Sequence, residues 1–180
     1  MLLDAELSVL VIVDVQHRLL PAIHDGTRVL ESCVWLIRLA QRLKVPVIAS
    51  EHYPEGLGRS VPAVRELLPA DALFEKVYFS CVADGALQRR PIYEREQWVV
   101  AGTEAHVCVL QTVHDLAAAG KQVFVVADAV GSRDPLNRDL ALARMGQQGV
   151  QIVSREMVAF EWLGRAGTDL FREINRDFIR

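Results

Sequence analysis

The run Leu7-Ser-Val-Leu-Val-Ile-Val13 is apolar but for Ser8 and ends on an acidic residue, Asp14. A strand with one wet face alternates apolar and polar residues. A run that is apolar on both faces fits a central strand of a parallel sheet covered by helices on each side. The same constraint recurs along the chain. Val45–Ser50, Trp98–Ala101, Lys121–Val126 and Val150–Ser154 are further short apolar runs, and Ala72–Cys81 is a longer extended segment. Between them lie stretches with helical spacing: Thr27–Leu43, Pro62–Leu68, Gly85–Tyr93, Val109–Ala119 and Asn137–Gln148. Met157–Leu163 and Thr168–Phe178 close the chain as helices. Such alternation, with no long linker, repeat or low-complexity stretch, predicts an α/β fold. It is a single three-layer αβα domain over residues 1–180 with a mostly parallel six-stranded sheet, Rossmann-like in architecture.

The length of 180 residues suits one domain with a proper core, and 51% hydrophobic with 24% charged residues is ordinary for a globular chain. A formal net charge of −3, with no basic run, predicts no nucleic-acid partner. The three cysteines, Cys33, Cys81 and Cys108, form no CxxC, which argues against a disulfide framework or a zinc knuckle. The acidic N-terminus does not resemble a secretory signal, and no apolar run reaches the ~18 residues of a membrane span. A reduced, cytoplasmic protein without a membrane partner is expected. No GxGxxG follows the first strand and no P-loop motif is present, so no nucleotide cofactor is expected.

Three residues fall where open α/β sheets place their ligands, at the carboxyl ends of strands. Asp14 ends the first strand; alone it would also serve as a turn or capping residue. Lys76 lies among Phe74, Val77, Tyr78 and Phe79, where it either snorkels to water or needs an anion. Cys108 sits between a strand and a helix start, where unpaired N–H groups and the helix dipole lower a thiol's pKa; it could equally be a small packing residue. Cys33 lies on the apolar stripe of its helix, and Cys81 reads as a packing residue close to Lys76. His52, beside Glu51 in a loop rich in glycine and proline, invites a metal reading. A metal needs three convergent ligands and no second histidine follows at a useful spacing, so no metal is expected.

If their strands are neighbours, Asp14, Lys76 and Cys108 converge on one cleft. A carboxylate could then take the thiol proton, an ammonium could hold both negative charges, and the sulfur could attack a carbonyl carbon. The segments Val11-Ile-Val-Asp-Val-Gln16, Lys76 and Gly102-Thr-Glu-Ala-His-Val-Cys-Val109 resemble those of the isochorismatase-like cysteine hydrolase superfamily. Ser50–Gly58, Lys76–Ser80 and Ala141–Met145 look like its isochorismatase domain-containing subgroup.

The resemblance implies Asp14 as general base, Lys76 as charge stabiliser and Cys108 as nucleophile. It implies a cis peptide at Thr103–Glu104, with the N–H groups of Glu104 and Cys108 forming an oxyanion hole. Gln16 would line the pocket beside the base, and His52, Tyr53, Phe79 and the Val130–Asp134 turn would wall it. The metal-binding Asp-x-His of nicotinamidases is not matched at Glu51-His52-Tyr53. The cysteine, absent from isochorismatases proper, favours acyl chemistry.

The expected activity is hydrolysis of a small amide-like C–N bond through a Cys108 thioester. The alternatives are a binding or scaffold protein on the same fold, or a redox role pairing Cys108 with Cys81. A homo-oligomer, dimer or larger, is expected, with Trp162 and the C-terminal helices as candidate contacts.

Overall fold

A computed structural model describes residues 1–180. Six strands form one parallel sheet: β1 Ser8–Val13, β2 Val47–His52, β3 Leu73–Lys76, β4 Gln97–Thr103, β5 Gln122–Gly131 and β6 Gln151–Val153. Their spatial order is β3-β2-β1-β4-β5-β6, and every pairing is parallel. The order reverses between β1 and β4, so the crevice beyond their carboxyl ends is the topological switch point of a doubly wound sheet.

Side-chain alternation along β1 explains the two-faced apolar run. Leu10 and Ile12 enter one core, of 27 buried residues, with α1 (Gly26–Arg42); Val9, Val11 and Val13 enter the other, of 20. The second core is closed by α4 (Leu110–Ala118) and α5 (Pro135–Gln147). Two short helices, α2 (Pro54–Leu57) and α3 (Pro62–Arg65), follow β2, and α6 (Arg155–Leu163) and α7 (Asp169–Ile174) end the fold. Trp162 is not left for another subunit: it is 7% exposed, packs into the first core and donates from Nε1 to Ser8 Oγ at 2.9 Å.

Several boundaries differ from expectation for identifiable reasons. The extended segment from Ala72 stops at Lys76 instead of Cys81, because its only partner, β2, turns away at Tyr53 (φ 38°) after pairing His52 with Lys76. Gly85–Tyr93 forms two short 3-10 turns, Leu87–Arg89 and Pro91–Glu94, split by Pro91, whose ring fixes φ and lacks an N–H. The fifth strand continues to Gly131, since Val130 and Gly131 pair with Gly102 and Thr103 past an irregularity in β4 between Val100 and Gly102. The fourth helix is preceded by one π-helical turn, Ala105–Val109, so Cys108 lies inside a helical turn instead of ahead of the helix. Such turns are frequent at functional sites.

Candidate active site

Parallel pairing sets the geometry. Val13 lies in register with Ser50 on one side and Gly102 on the other, so Asp14, Ser50 and the Gly102–Cys108 loop end side by side. Asp14, fully buried and at φ 50°, turns its carboxylate into this group. Oδ2 accepts from Lys76 Nζ at 2.7 Å, and Oδ1 accepts from Ser50 Oγ at 2.7 Å. The Asp14 carbonyl accepts from Thr103 Oγ1 at 2.7 Å. Lys76 is 4% exposed and also donates to the Tyr78 carbonyl at 3.3 Å, so its head is paired and does not snorkel to water. Ser50 carries no local signal in the sequence; only the register of β2 against β1 puts it on Asp14.

The Cys108 sulfur and the Asp14 carboxylate lie within 4.8 Å of one another, and His52 presents a ring nitrogen within the same distance of both. The peptide bond Thr103–Glu104 is cis. The position of Cys108 does not produce the lowered thiol pKa expected of a helix start. Burial pushes the thiol up, the Asp14 carboxylate adds to this, and Lys76 pulls the other way without winning. These influences favour the protonated thiol. Burial holds Lys76 down, but Asp14, with Cys81 and Cys108, outweighs it and the ammonium is raised above the ordinary lysine value. Cys81 is buried and pushed up to about 11, chiefly by desolvation, and Cys33 to about 12 by burial alone. Both are inert thiols at neutral pH.

The other anticipated residues take different places. Gln16 is fully buried, and its amide is spent on the backbone. Nε2 donates to the carbonyls of His52 and Gly58 at 2.9 and 2.6 Å, and Oε1 accepts from the N–H of His52 at 2.7 Å. It holds the loop after β2. Glu51, also buried, accepts from the N–H of Ser60 at 2.7 Å and closes the same loop. Replacing Gln16 by alanine strands these groups and should cost about 1–3 kcal/mol per unsatisfied buried group. Urea unfolding measures this; unchanged stability would remove the clasp role.

The His52 ring packs against Phe79 with centroids 5.4 Å apart, whereas Tyr53 is half exposed. Phe79 also lines a surface cavity of about 580 Å³, with Tyr78, Ser80 and His106. Glu104 contributes a buried side chain that its sequence position did not announce. Oε1 pairs with Arg133 Nε at 2.6 Å, and Oε2 lies 3.4 Å from His106 Nδ1, which is 2.9 Å from Ser132 Oγ. The turn after β5 is thereby tied to the loop that carries Cys108.

Asp14, His52 and Cys108 have the donor types for a divalent ion. The Lys76 ammonium already occupies Asp14, however, and a second cation in this buried space would meet like charge at close range. The set suits proton transfer and nucleophilic attack better than a resident metal.

Residues 8–157 match the isochorismatase domain model. The chain belongs to the isochorismatase domain family. Isochorismatase domain-containing protein 2B of Mus musculus is 33% identical over 173 residues, which cover 95% of this chain and 80% of that protein. The MAR1 ribonuclease of Caenorhabditis elegans superposes with a TM-score of 0.89 at 31% identity, covering 98% of this chain and 91% of that one. The YcaC gene product of Escherichia coli, described as an octameric hydrolase of unknown specificity, superposes with a TM-score of 0.88 over 99% of this chain and 91% of that one. At 23% identity that likeness speaks for the fold alone. The fold is that of an isochorismatase-family hydrolase, and no helix is long and apolar enough to cross a membrane.

Proposed function

We propose that this isochorismatase-family chain hydrolyses a small amide-like C–N bond, with Cys108 as nucleophile, Asp14 as general base and Lys76 as the charge stabiliser. One observation carries the reading: a buried thiol lies within 4.8 Å of a carboxylate that a buried ammonium holds at 2.7 Å. As the sulfur bonds to the carbonyl carbon, its proton passes to Asp14. The carbonyl oxygen becomes an oxyanion received by the N–H groups of Glu104 and Cys108. The C–N bond then breaks, Asp14 returns the proton to the leaving nitrogen, and a thioester on Cys108 remains for water to cleave. Lys76 offsets the negative charge as it moves between oxygen and sulfur.

The test is intact-mass analysis after incubation with a library of small amides. An acyl adduct confined to Cys108, ammonia or amine release, and loss of both in Cys108→Ala are expected from a chain that stays folded. Full turnover by Cys108→Ala sinks the assignment, and reproducible binding without adduct or release supports a binding protein. RNA, suggested by the name of the nematode relative, is the comparison substrate: cleavage that survives Cys108→Ala would displace the thioester reading.

A cytoplasmic site of action accords with three unpaired cysteines. A homo-oligomer accords with the exposed apolar side chains of Val77, Tyr78, Leu136 and Leu140. Sedimentation as a monomer at all concentrations would remove it.

A further inference from the structure

His52 is the member of this site that the scheme above leaves without a task. Its Nδ1 is a buried polar atom with no hydrogen-bond partner. An orphan of that kind costs about 1–3 kcal/mol. It persists most readily where its partner comes and goes with the reaction. We propose that His52 is the base that activates water in the second half of the reaction, hydrolysis of the Cys108 thioester. The inference rests on the thioester reading and adds to it the group that empties the enzyme.

Geometry supports it on three counts. A His52 ring nitrogen lies within 4.8 Å of both the Cys108 sulfur and the Asp14 carboxylate. One water hydrogen-bonded at about 2.6–3.2 Å to the ring would therefore lie beside a carbonyl carbon carried on that sulfur. The residue is also held firmly: its N–H and C=O are both bonded to the Gln16 amide, and Phe79 packs on the ring. Finally, Asp14 already serves Ser50, Lys76 and, in the first half of the reaction, the thiol, whereas Nδ1 accepts no hydrogen bond. Burial and the nearby Lys76 ammonium lower the His52 pKa, although Asp14 and the Tyr78 carbonyl act the other way. The net direction favours the neutral ring, the form with a lone pair to offer.

The step balances without a co-reactant. The water oxygen bonds to the acyl carbon while its proton moves to His52. The tetrahedral oxyanion collapses, the C–S bond breaks, and the electron pair stays on sulfur opposite Lys76. The imidazolium then returns its proton to the thiolate, leaving a carboxylic acid and free Cys108.

The experiment uses p-nitrophenyl acetate as an acyl donor that needs no recognised substrate. p-Nitrophenolate release reports acylation, and intact mass reports the acetyl group on Cys108. Two variants are compared, His52→Gln and His52→Phe, the second keeping a ring against Phe79. A burst of one equivalent of p-nitrophenolate should persist in both, which also shows that the site is folded, and should stand out more sharply from the turnover that follows than in wild type. The acetyl group should then leave Cys108 about a hundredfold more slowly than from wild type, a loss typical of removing a general base. Acetyl loss at the wild-type rate, or acylation and deacylation slowed together, overturns the role of His52 and leaves the thioester reading standing. Release that is the same in Cys108→Ala, with no acetyl on Cys108 of wild type, overturns both.

Discussion

Gly102→Ala is expected to be the most damaging single methyl in the chain. A Cβ at this position would meet the Val13 carbonyl oxygen at 2.1 Å, the Val13 nitrogen at 2.6 Å and the Val13 carbonyl carbon at 2.9 Å. All three are backbone atoms of the adjacent central strand, which cannot move aside as a side-chain tip can. The backbone here is also at φ +117°, where only glycine is comfortable. Relief requires β1 and β4 to part where Asp14 and the Cys108 loop leave the sheet. A cost above about 4 kcal/mol follows, within the range reserved for core overpacking and backbone strain. Total stabilities of about 5–15 kcal/mol leave little margin for it. Thermal unfolding is the measurement. A melting temperature within about 3 °C of wild type would show that the sheet yields more easily than this contact implies.

Lys76→Met should be the second large effect, because it removes the cation and keeps the volume. Asp14 is then a fully buried carboxylate with Ser50 as its remaining side-chain donor. Breaking a buried pair from one side costs about 3–5 kcal/mol, whereas replacing both partners is often close to neutral. Asp14→Asn combined with Lys76→Met should therefore recover part of the stability lost in Lys76→Met, as urea unfolding of the three proteins would read. Since the ammonium is raised in the folded chain, its stabilisation is present below the ordinary lysine value of 10.5 and is lost as pH rises through the higher folded value. The lysine's own contribution to the gap between wild type and Lys76→Met should thus be lost only under strongly alkaline conditions. Lys76 is also the group that pulls the Cys108 thiol downward. Iodoacetamide should alkylate Cys108 more slowly in the variant at every pH where the chain is folded. An unchanged alkylation profile would separate Lys76 from the Cys108 thiol.

Much of this site was legible in the chain because it lies at strand ends, and strand ends follow from local pattern. Asp14 closes an apolar run, Lys76 interrupts another, and Cys108 follows a glycine after a third. The glycine at 102 was readable as a turn but not as a contact, since the obstacle is Val13, far away in sequence. Gln16 clamps the loop after β2, because its amide meets carbonyls delivered by His52 and Gly58, a role its sequence position does not reveal. His52 was read as a wall; its closeness to Cys108 depends on two parallel crossovers that bring β2 and β4 to either side of β1.

From the sequence alone came the parallel α/β architecture and the identities of Asp14, Lys76 and Cys108, because hydrophobic period and residue chemistry are local properties. The tertiary structure decided what those residues experience. It set Ser50 and Lys76 on the two oxygens of Asp14, carried Cys108 into a π-helical turn, left His52 Nδ1 without a partner, and buried the thiol beside a carboxylate, which pushes its pKa up where a helix start alone would lower it. Desolvation and through-space charge belong to the packed chain, and no local pattern in the sequence carries them.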